Sequence, residues 1–443
     1  MSATIAIDDL RVGMFVHLDL GWWAHPFALS SFRLTSSDQI ATIRGLGLKQ
    51  VRWSPERSAL AVDGDTPPPT MPIASPLGAD AAAVIDVAPA SDGPAGAPLQ
   101  RGGASARERR EQLAAQREAT RLCSRQYGEA AQALKAANEL VLRQPEGARE
   151  ASEGLTHALL NKMLIDGELC IRVLADVHAD RATAHALNVA VISLLMGRVF
   201  GFNEQEMLDV GVGALLHDVG KLELPERVRH LDTQASQSDL ALYREHVARG
   251  VALGKRMGLK PGALLVLGQH HEMADGSGFP SKLNVDRMTA AARIVSLVNR
   301  YDNLCDPAVP SHALTPHEAL SLIFAQTRAK FDVSMLNAFI RMMGVYPPGS
   351  VVQLTDDRYA LVTNVNSSRP LKPRVLVHDP QVPADEALHL NLELQPDVGI
   401  RRSLRPQQLP AEATQYLSPR QRVVYFFEPA PVAHSGFGQE MVA

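Results

Sequence analysis

The apolar positions of this chain follow four successive rhythms, and each change of rhythm marks a change of expected structure. Over residues 1–62, short apolar stretches carrying Trp22, Trp23 and Trp53 are broken by Gly13, Gly21, Pro26, Gly45 and Gly47. That pattern predicts a small strand-rich module, with a candidate helix over Ile40–Leu46. Residues 63–104 lose periodicity and become rich in Pro, Ala and Gly, as in DTPPPTMP and APASDGPAGAP. Such a stretch cannot bury enough apolar surface to offset its ordering entropy, so it is expected to be a flexible linker.

Helical rhythm begins at residue 105. The segment 105–150 opens with an Ala-, Arg-, Glu- and Leu-rich run that has no Gly or Pro before Gly128, and Tyr127, Leu134 and Val141 recur every seven residues with Ala130 and Ala137 between them. This predicts a long helix, and its stripe over 105–143 is a candidate homodimer seam. Residues 151–345 keep the helical period, with apolar runs at Ala186–Met196, Met207–Leu216 and Ala291–Val298. After Tyr346-Pro347-Pro348-Gly349 the period falls to two, in SVVQL, YALVTNV, RVLVH and ALHLNLEL, which predicts a small β module over 346–443. The expected fold class is mainly α: an all-helical bundle flanked by a small strand-rich N-terminal module and a small C-terminal β module.

Composition narrows the partners. A chain of 443 residues exceeds one ordinary core and fits about two to four folded units. With 46% apolar and 21% charged residues, the balance is that of a soluble globular protein. A formal charge of -4 gives no general attraction to nucleic acid or anionic lipid, so any phosphate site must be local. Arg107, Arg109, Arg110, Arg117 and Arg121 are interleaved with Glu108, Glu111 and Glu118, which describes a solvated helix face rather than a nucleic-acid stripe. Cys123, Cys170 and Cys305 form no CxxC pair, which argues against a disulfide framework and for a reducing cytoplasm. The N-terminus is acidic where a secretory signal needs positive charge, and no segment reaches the roughly 18 uninterrupted apolar residues of a membrane span, so no membrane partner is expected.

Two polar islands interrupt the helical segment. His217-Asp218 follows the run GVGALL and precedes Val219-Gly220-Lys221. A histidine beside an aspartate can supply one nitrogen and one oxygen to a metal, and the carboxylate can bridge to a second ion. The second island, HHEMADGSGFP over 270–280, joins two histidines, a carboxylate and a Gly-rich, Pro-containing loop, a polar density that would disrupt a core. His185 on an apolar helix and His246 in YREHVARG bring further imidazoles to helices that can converge on one bundle cavity.

The order His185, HDVGK (217–221), His246, HHEMADGSGFP (270–280) and NRYDNL (299–304) resembles the HD-GYP subgroup of the HD phosphohydrolase superfamily, over residues 150–345. The N-terminal IAIDDLRVGMFVHLDLGWWAHPF also resembles a module that often precedes such domains. The resemblance implies an all-helical HD-type domain, here 151–345, whose two divalent ions, iron or manganese, hydrolyse cyclic di-GMP to pGpG or GMP. It implies His185, His217, Asp218, His246, His270, His271 and Asn299 as metal positions. Asp218 and Lys221 would be catalytic, and Lys221, Asp275, Gly276, Gly278, Phe279 and Pro280 would meet the substrate.

Three departures stand out against that pattern. The signature tyrosine is Phe279, Asn299 replaces an aspartate ligand, and Arg181 stands where a glutamate serves a third metal in some members, so two ions at most are expected. Asp302, nearly one helical turn beyond Asn299, is expected to support the site without binding metal. An amide oxygen brings no negative charge to a cation, so the alternative is an HD-GYP-like module that senses cyclic di-GMP or serves as a scaffold for signalling partners without turnover.

Overall fold

The computed structural model describes residues 3–18, 31–34, 37–45, 48–58, 106–163, 169–174, 179–229, 235–366, 371–420 and 422–429. Residues 1–102 and 103–443 are separate units. In the first, strands β1 (Ala3–Ala6), β2 (Phe15–His17) and β3 (Ser31–Arg33), helix α1 (Ser37–Gly45) and strand β4 (Gln50–Trp53) give an antiparallel sheet in the order β1-β4-β2-β3. Alternation decides its inner face: Val16, Leu34, Ile43 and Val51 are buried and Trp53 packs on them. Trp22 and Trp23, and the expected linker over 63–104, lie outside the described residues.

The second unit opens with α2 (Ala106–Leu140) and α3 (Pro145–Met163), then β5 (Leu169–Leu174). The bundle follows as α4 (Arg181–Val199), α5 (Glu204–Leu216), α6 (Glu226–Arg229), α7 (Gln237–Met257), α8 (Pro261–Gln269), α9 (Ala290–Cys305), α10 (Pro316–Gln326) and α11 (Val333–Met343). It closes with β6 (Val351–Leu354), β7 (Tyr359–Asn366), β8 (Arg374–Val377), β9 (Leu390–Asn391), β10 (Ile400–Leu404), α12 (Ala411–Leu417) and β11 (Val424–Pro429). Local signals set the helix starts: Asp180, Asn203, Ser236 and Thr289 each accept a backbone N–H of the first turn of α4, α5, α7 and α9.

Two expectations need correction here. The bundle and the β module are not consecutive blocks, because β5, within the stretch expected to be all-helical, lies between β7 and β11 in the order β10-β6-β7-β5-β11, with β8 and β9 beyond β7. LCIRVL is short and apolar, and such a run does not distinguish strand from buried helix by its period. A buried Arg172–Glu428 ion pair, 2.6 Å apart, ties β5 to β11, and Asn364 of β7 donates to the same carboxylate.

The second correction concerns α2. Tyr127, Leu134 and Val141 are 1%, 0% and 0% exposed, and Ala130 and Ala137 are also buried. The helix packs against α3, α4, β5 and β11, and Tyr127 meets Phe426 edge-on at 6.2 Å. The heptad stripe is therefore consumed inside the chain and offers no dimer seam. Helix α4 is long and apolar enough to cross a membrane, with a mean hydropathy of 1.4, but 78% of that stretch is buried in the bundle.

Candidate metal centre

The same local device recurs at three histidines. His217 at the end of α5, His246 in α7 and His270 at the end of α8 each donate Nδ1–H to the carbonyl three residues back, Ala214, Tyr243 and Leu267, at 2.7, 2.6 and 2.8 Å. At the two helix ends the bond also satisfies a carbonyl that has no intrahelical partner. Because a carbonyl only accepts, Nδ1 carries the proton and each Nε2 presents a lone pair inward. His185 reaches the same state through Asp302, whose Oδ2 accepts its Nδ1–H at 2.6 Å.

These lone pairs converge. Nε2 of His185 lies 3.1 Å from Nε2 of His217, and Nε2 of His246 lies 3.2 Å from Nε2 of His270. Asp218 sits between the pairs: Oδ2 is 3.4 Å from His217 and 3.8 Å from His185, while Oδ1 is 3.5 Å from His246 and 3.8 Å from His270. Two donor sets result, His185–His217–Asp218 and Asp218–His246–His270–His271, sharing one carboxylate. Unprotonated nitrogens that face each other at this separation repel unless a cation lies between them. The buried Asp218 Oδ1 and His271 Nε2 have no hydrogen-bond partner, as expected of atoms reserved for a metal. The imidazole and carboxylate donors therefore fit divalent metal, which His185, His217, Asp218, His246, His270 and His271 would hold.

The electrostatics agree. Burial pushes His246 down to about 4 and holds His270 and His271 well below the usual histidine value, with the neighbouring imidazoles adding to the shift. All three are neutral, ligand-ready bases at neutral pH. Burial alone would raise Asp218, but the charge of Lys221 and the nearby His217 outweigh it and keep the carboxyl ionised well below the usual range. The Lys221 ammonium lies 2.6 Å from Asp218 Oδ2 and 5.1 Å from the centre of the Tyr243 ring.

A cavity of about 200 Å³ opens beside the centre, and His185, Asp218, Lys221, Arg181, Arg229 and Asn303 are among the residues that line it. Gly220 makes this arrangement possible, since a Cβ there would overlap the His246 carbonyl oxygen and crowd the Gly250 nitrogen. Only glycine lets the HDVGK turn lie on α7 and place Asp218 over its histidines.

The structure brings His185, His217, Asp218, Lys221, His246, His270 and His271 together. Asp275, Gly276, Gly278, Phe279 and Pro280 lie outside the lining of that cavity, but their loop adjoins the centre through Phe279, which packs against His271 and His246. Asp275 accepts the Ser277 N–H within its own turn, Gly276 adopts φ +74°, and Gly278 packs so tightly that a Cβ would sit 2.5 Å from the backbone of residues 271–273. Phe279 stacks on His271 with ring centres 4.5 Å apart and lies beneath the Arg244 guanidinium, and Pro280 follows it on the exposed rim. Glu272 holds the loop, accepting Ser281 N–H at 2.6 Å and Leu283 N–H at 2.9 Å, and is not a ligand.

Asn299 is buried, and its amide oxygen accepts a 2.6 Å hydrogen bond from Asn303 Nδ2. The oxygen expected at the metal is thus engaged by a neighbour. Arg181 turns to the Asp306 carbonyl at 2.7 Å. Asn188, Tyr243 and Asn303 border the centre and were not expected there. Asn188 alone left a local sign, as a polar residue one turn after His185 in an apolar helix.

Residues 2–151 match a domain of unknown function (DUF3391), and residues 168–335 match the HD domain. The first match runs through α2 into α3, beyond the strand-rich module. The chain is 25% identical over 383 residues to a cyclic di-GMP phosphodiesterase of Pseudomonas aeruginosa, covering 85% of each protein. It is 27% identical over 194 residues to a 3'3'-cGAMP-specific phosphodiesterase of Vibrio cholerae, covering 43% of this chain and 35% of that one. Among solved structures it is similar to an HDG"Y"P protein from Bdellovibrio bacteriovorus, with a TM-score of 0.38 and 13% identity over 76% of this chain and 98% of that one.

Proposed function

We propose that this chain, which carries an HD domain over residues 168–335, is a phosphodiesterase that hydrolyses cyclic di-GMP to pGpG or GMP with two divalent metal ions, iron or manganese. The observation that carries the reading is the sharing of Asp218 between two converging donor sets, one carboxylate oxygen facing each. The likeness to a cyclic di-GMP phosphodiesterase over 85% of both proteins supports the substrate. A donor set of imidazoles and one carboxylate, without thiolate, suits iron or manganese, and the three cysteines are buried and free, in keeping with a reducing cytoplasm.

Metal ions bound here supply an activated water and stabilise charge on the leaving 3′ oxygen. The chain's own residues do the rest. His217, His246 and His270 present unprotonated Nε2 atoms because backbone carbonyls hold their Nδ1 protons. Asp218, ionised and held between the sets, fixes their separation. Lys221, on the cavity wall, offers a mobile point charge that can leave Asp218 to meet a phosphate oxygen.

The test pairs metal analysis of the purified chain with anaerobic hydrolysis of cyclic di-GMP after loading with Mn²⁺ or Fe²⁺. Two ions per chain and linear product are expected. Asp218→Ala should lose both ions and reduce hydrolysis roughly a thousandfold, since the metals contribute several kcal/mol to the transition state. A second reading rests on Asn299, whose amide oxygen is taken by Asn303: the module then binds the dinucleotide without turnover, as a sensor or scaffold. Metal-replete protein that binds cyclic di-GMP but never yields pGpG or GMP overturns the first reading in favour of the second. Faster cleavage of 3'3'-cGAMP would reassign the substrate.

A further inference from the structure

We propose that Asn188 is a positioning residue of the metal centre: it fastens the Asp302–His185 pair to strand β11, so that the C-terminal sheet sets how tightly the His185–His217 side holds its ion. The proposal rests on the metal-centre reading above and adds a residue and an element that this reading does not require.

Asn188 lies one turn after His185 on α4 and is 1% exposed. Its amide is fully engaged. Nδ2 donates to Asp302 Oδ1 at 2.8 Å and to the Val423 carbonyl at 2.9 Å, while Oδ1 accepts the Tyr425 backbone N–H at 2.9 Å. Two acceptors on one side and a donor on the other permit a single orientation of the amide. Asp302 passes this orientation on, because its second oxygen holds His185 Nδ1 at 2.6 Å. The ring that presents Nε2 to His217 is therefore aimed by a continuous chain of hydrogen bonds ending on the backbone of β11 and the residue before it.

Position 188 does more than fill a core. Were it apolar, Asp302 Oδ1, the Val423 carbonyl and the Tyr425 N–H would all lose a buried partner, and the carboxylate could rotate away from His185. Among the described residues β11 pairs with β5 alone, and Val423, the residue before it, lines a second cavity of about 350 Å³ together with Arg172, Thr363, His389 and Tyr416. A displacement of this strand would reach His185 through two side chains. In the opposite donor set, His246 and His270 are instead held by carbonyls of their own helices.

The experiment titrates the full chain with Mn²⁺, the ion alone, and follows stoichiometry, the two affinities and the electron paramagnetic resonance of the spin-coupled pair. Wild-type protein should bind two ions and show the coupled signal. Asn188→Ala, checked for native circular dichroism, should keep one ion at wild-type affinity and weaken the other by about 10- to 100-fold, the usual effect of removing a group that orients a ligand. At one equivalent its signal should be that of an isolated ion. Asn188→Leu, close in volume, provides a second variant should the alanine protein not fold: it can neither accept from Tyr425 N–H nor donate to Asp302, so the same selective loss is expected. Tyr425→Phe, which removes only the 2.9 Å hydroxyl contact with Tyr301, should retain both ions. The proposal is overturned if either folded Asn188 variant binds two ions with wild-type affinities, or if Tyr425→Phe loses the same ion, which would make the effect general loosening of the strand. Wild-type protein that binds no Mn²⁺ overturns the metal centre itself, and this proposal with it. Because Mn²⁺ binding is measured without turnover, a chain that binds both ions but cleaves nothing still tests the role of Asn188.

Discussion

The two sides of Asp218 are built by different means. On the Oδ1 side, His246 and His270 are aimed by carbonyls three residues earlier in their own helices, and His271 is steadied by stacking on Phe279. On the Oδ2 side, His217 uses the same helical device, but His185 depends on Asp302, which is 117 residues away in sequence. The first side needs little more than helix geometry. The second needs the assembled domain, down to its last strand. Asn299 belongs to the second side as well, because its partner Asn303 lines the cavity with His185. One side is thus a locally specified scaffold, and the other is where substitution and movement register.

Acid should expose the difference first. In metal-free protein, burial pushes His246 down to about 4 and His270 and His271 well below the usual value. An unfolded histidine takes up its proton near 6.5, so below that pH the unfolded chain binds protons that the folded chain refuses. Stability conferred by these neutral histidines is therefore present above pH 6.5 and lost as the pH falls towards 4. His246 alone accounts for about 3 kcal/mol across that window. Urea unfolding of chelator-treated protein at pH 7.5 and pH 4.5 measures it. A free energy that stays flat would show that this side is not a preformed, desolvated site, and His246→Leu should flatten part of the slope.

A smaller perturbation reaches the same side through the backbone. Gly220→Ala forces a methyl group onto the His246 carbonyl and the Gly250 nitrogen, rigid atoms that cannot step aside as a side chain would. Overpacking of this kind costs about 1–3 kcal/mol. It should also weaken the ion on the Oδ1 side, because separating the HDVGK turn from α7 carries Asp218 away from His246. Wild-type melting together with unchanged binding of both ions would show that backbone contact does not position the turn.

The same division decides what the sequence could reveal. The convergence of His217, Asp218, His246, His270 and His271 was legible from motif order, and three of the histidines are aimed by bonds within one helix turn. Asn188 was not legible, since its three partners come from α9, β11 and the residue before it, and nothing within a few residues marks them. The heptad Tyr127–Leu134–Val141 is one apolar stripe on a helix, as its spacing predicts, but a stripe does not name its partner. The chain's own α3, α4, β5 and β11 cover it. β5 was hidden for a related reason: six residues flanked by helices carry too few periods to declare a strand, and only pairing with β7 and β11 makes them one. The polar density of 270–280 has two uses that its composition does not separate: His270 and His271 face Asp218, and Glu272 holds the turn that follows.

Asn299→Asp is the finest test of the comparison, because it restores charge on the long-range side without altering shape. An aspartate there still accepts from Asn303 Nδ2, so the local hydrogen bond at 2.6 Å survives. The added negative charge lies one helical turn before Asp302, on the helix that orients His185, and should favour a cation near His185 and His217. Tightening of about tenfold, or about 1.4 kcal/mol, is expected for the ion on the Oδ2 side, and the ion held by His246, His270 and His271 should stay within about twofold. Hydrolysis of cyclic di-GMP at limiting Mn²⁺ should rise with occupancy and converge on the wild-type rate at saturation. A rise that persists at saturation would mean that the carboxylate contributes to the chemical step, so that the asparagine limits turnover as well as metal binding. Equal tightening of both ions would show that the two sides of Asp218 are electrostatically one site, and that their separation lies only in how their histidines are aimed.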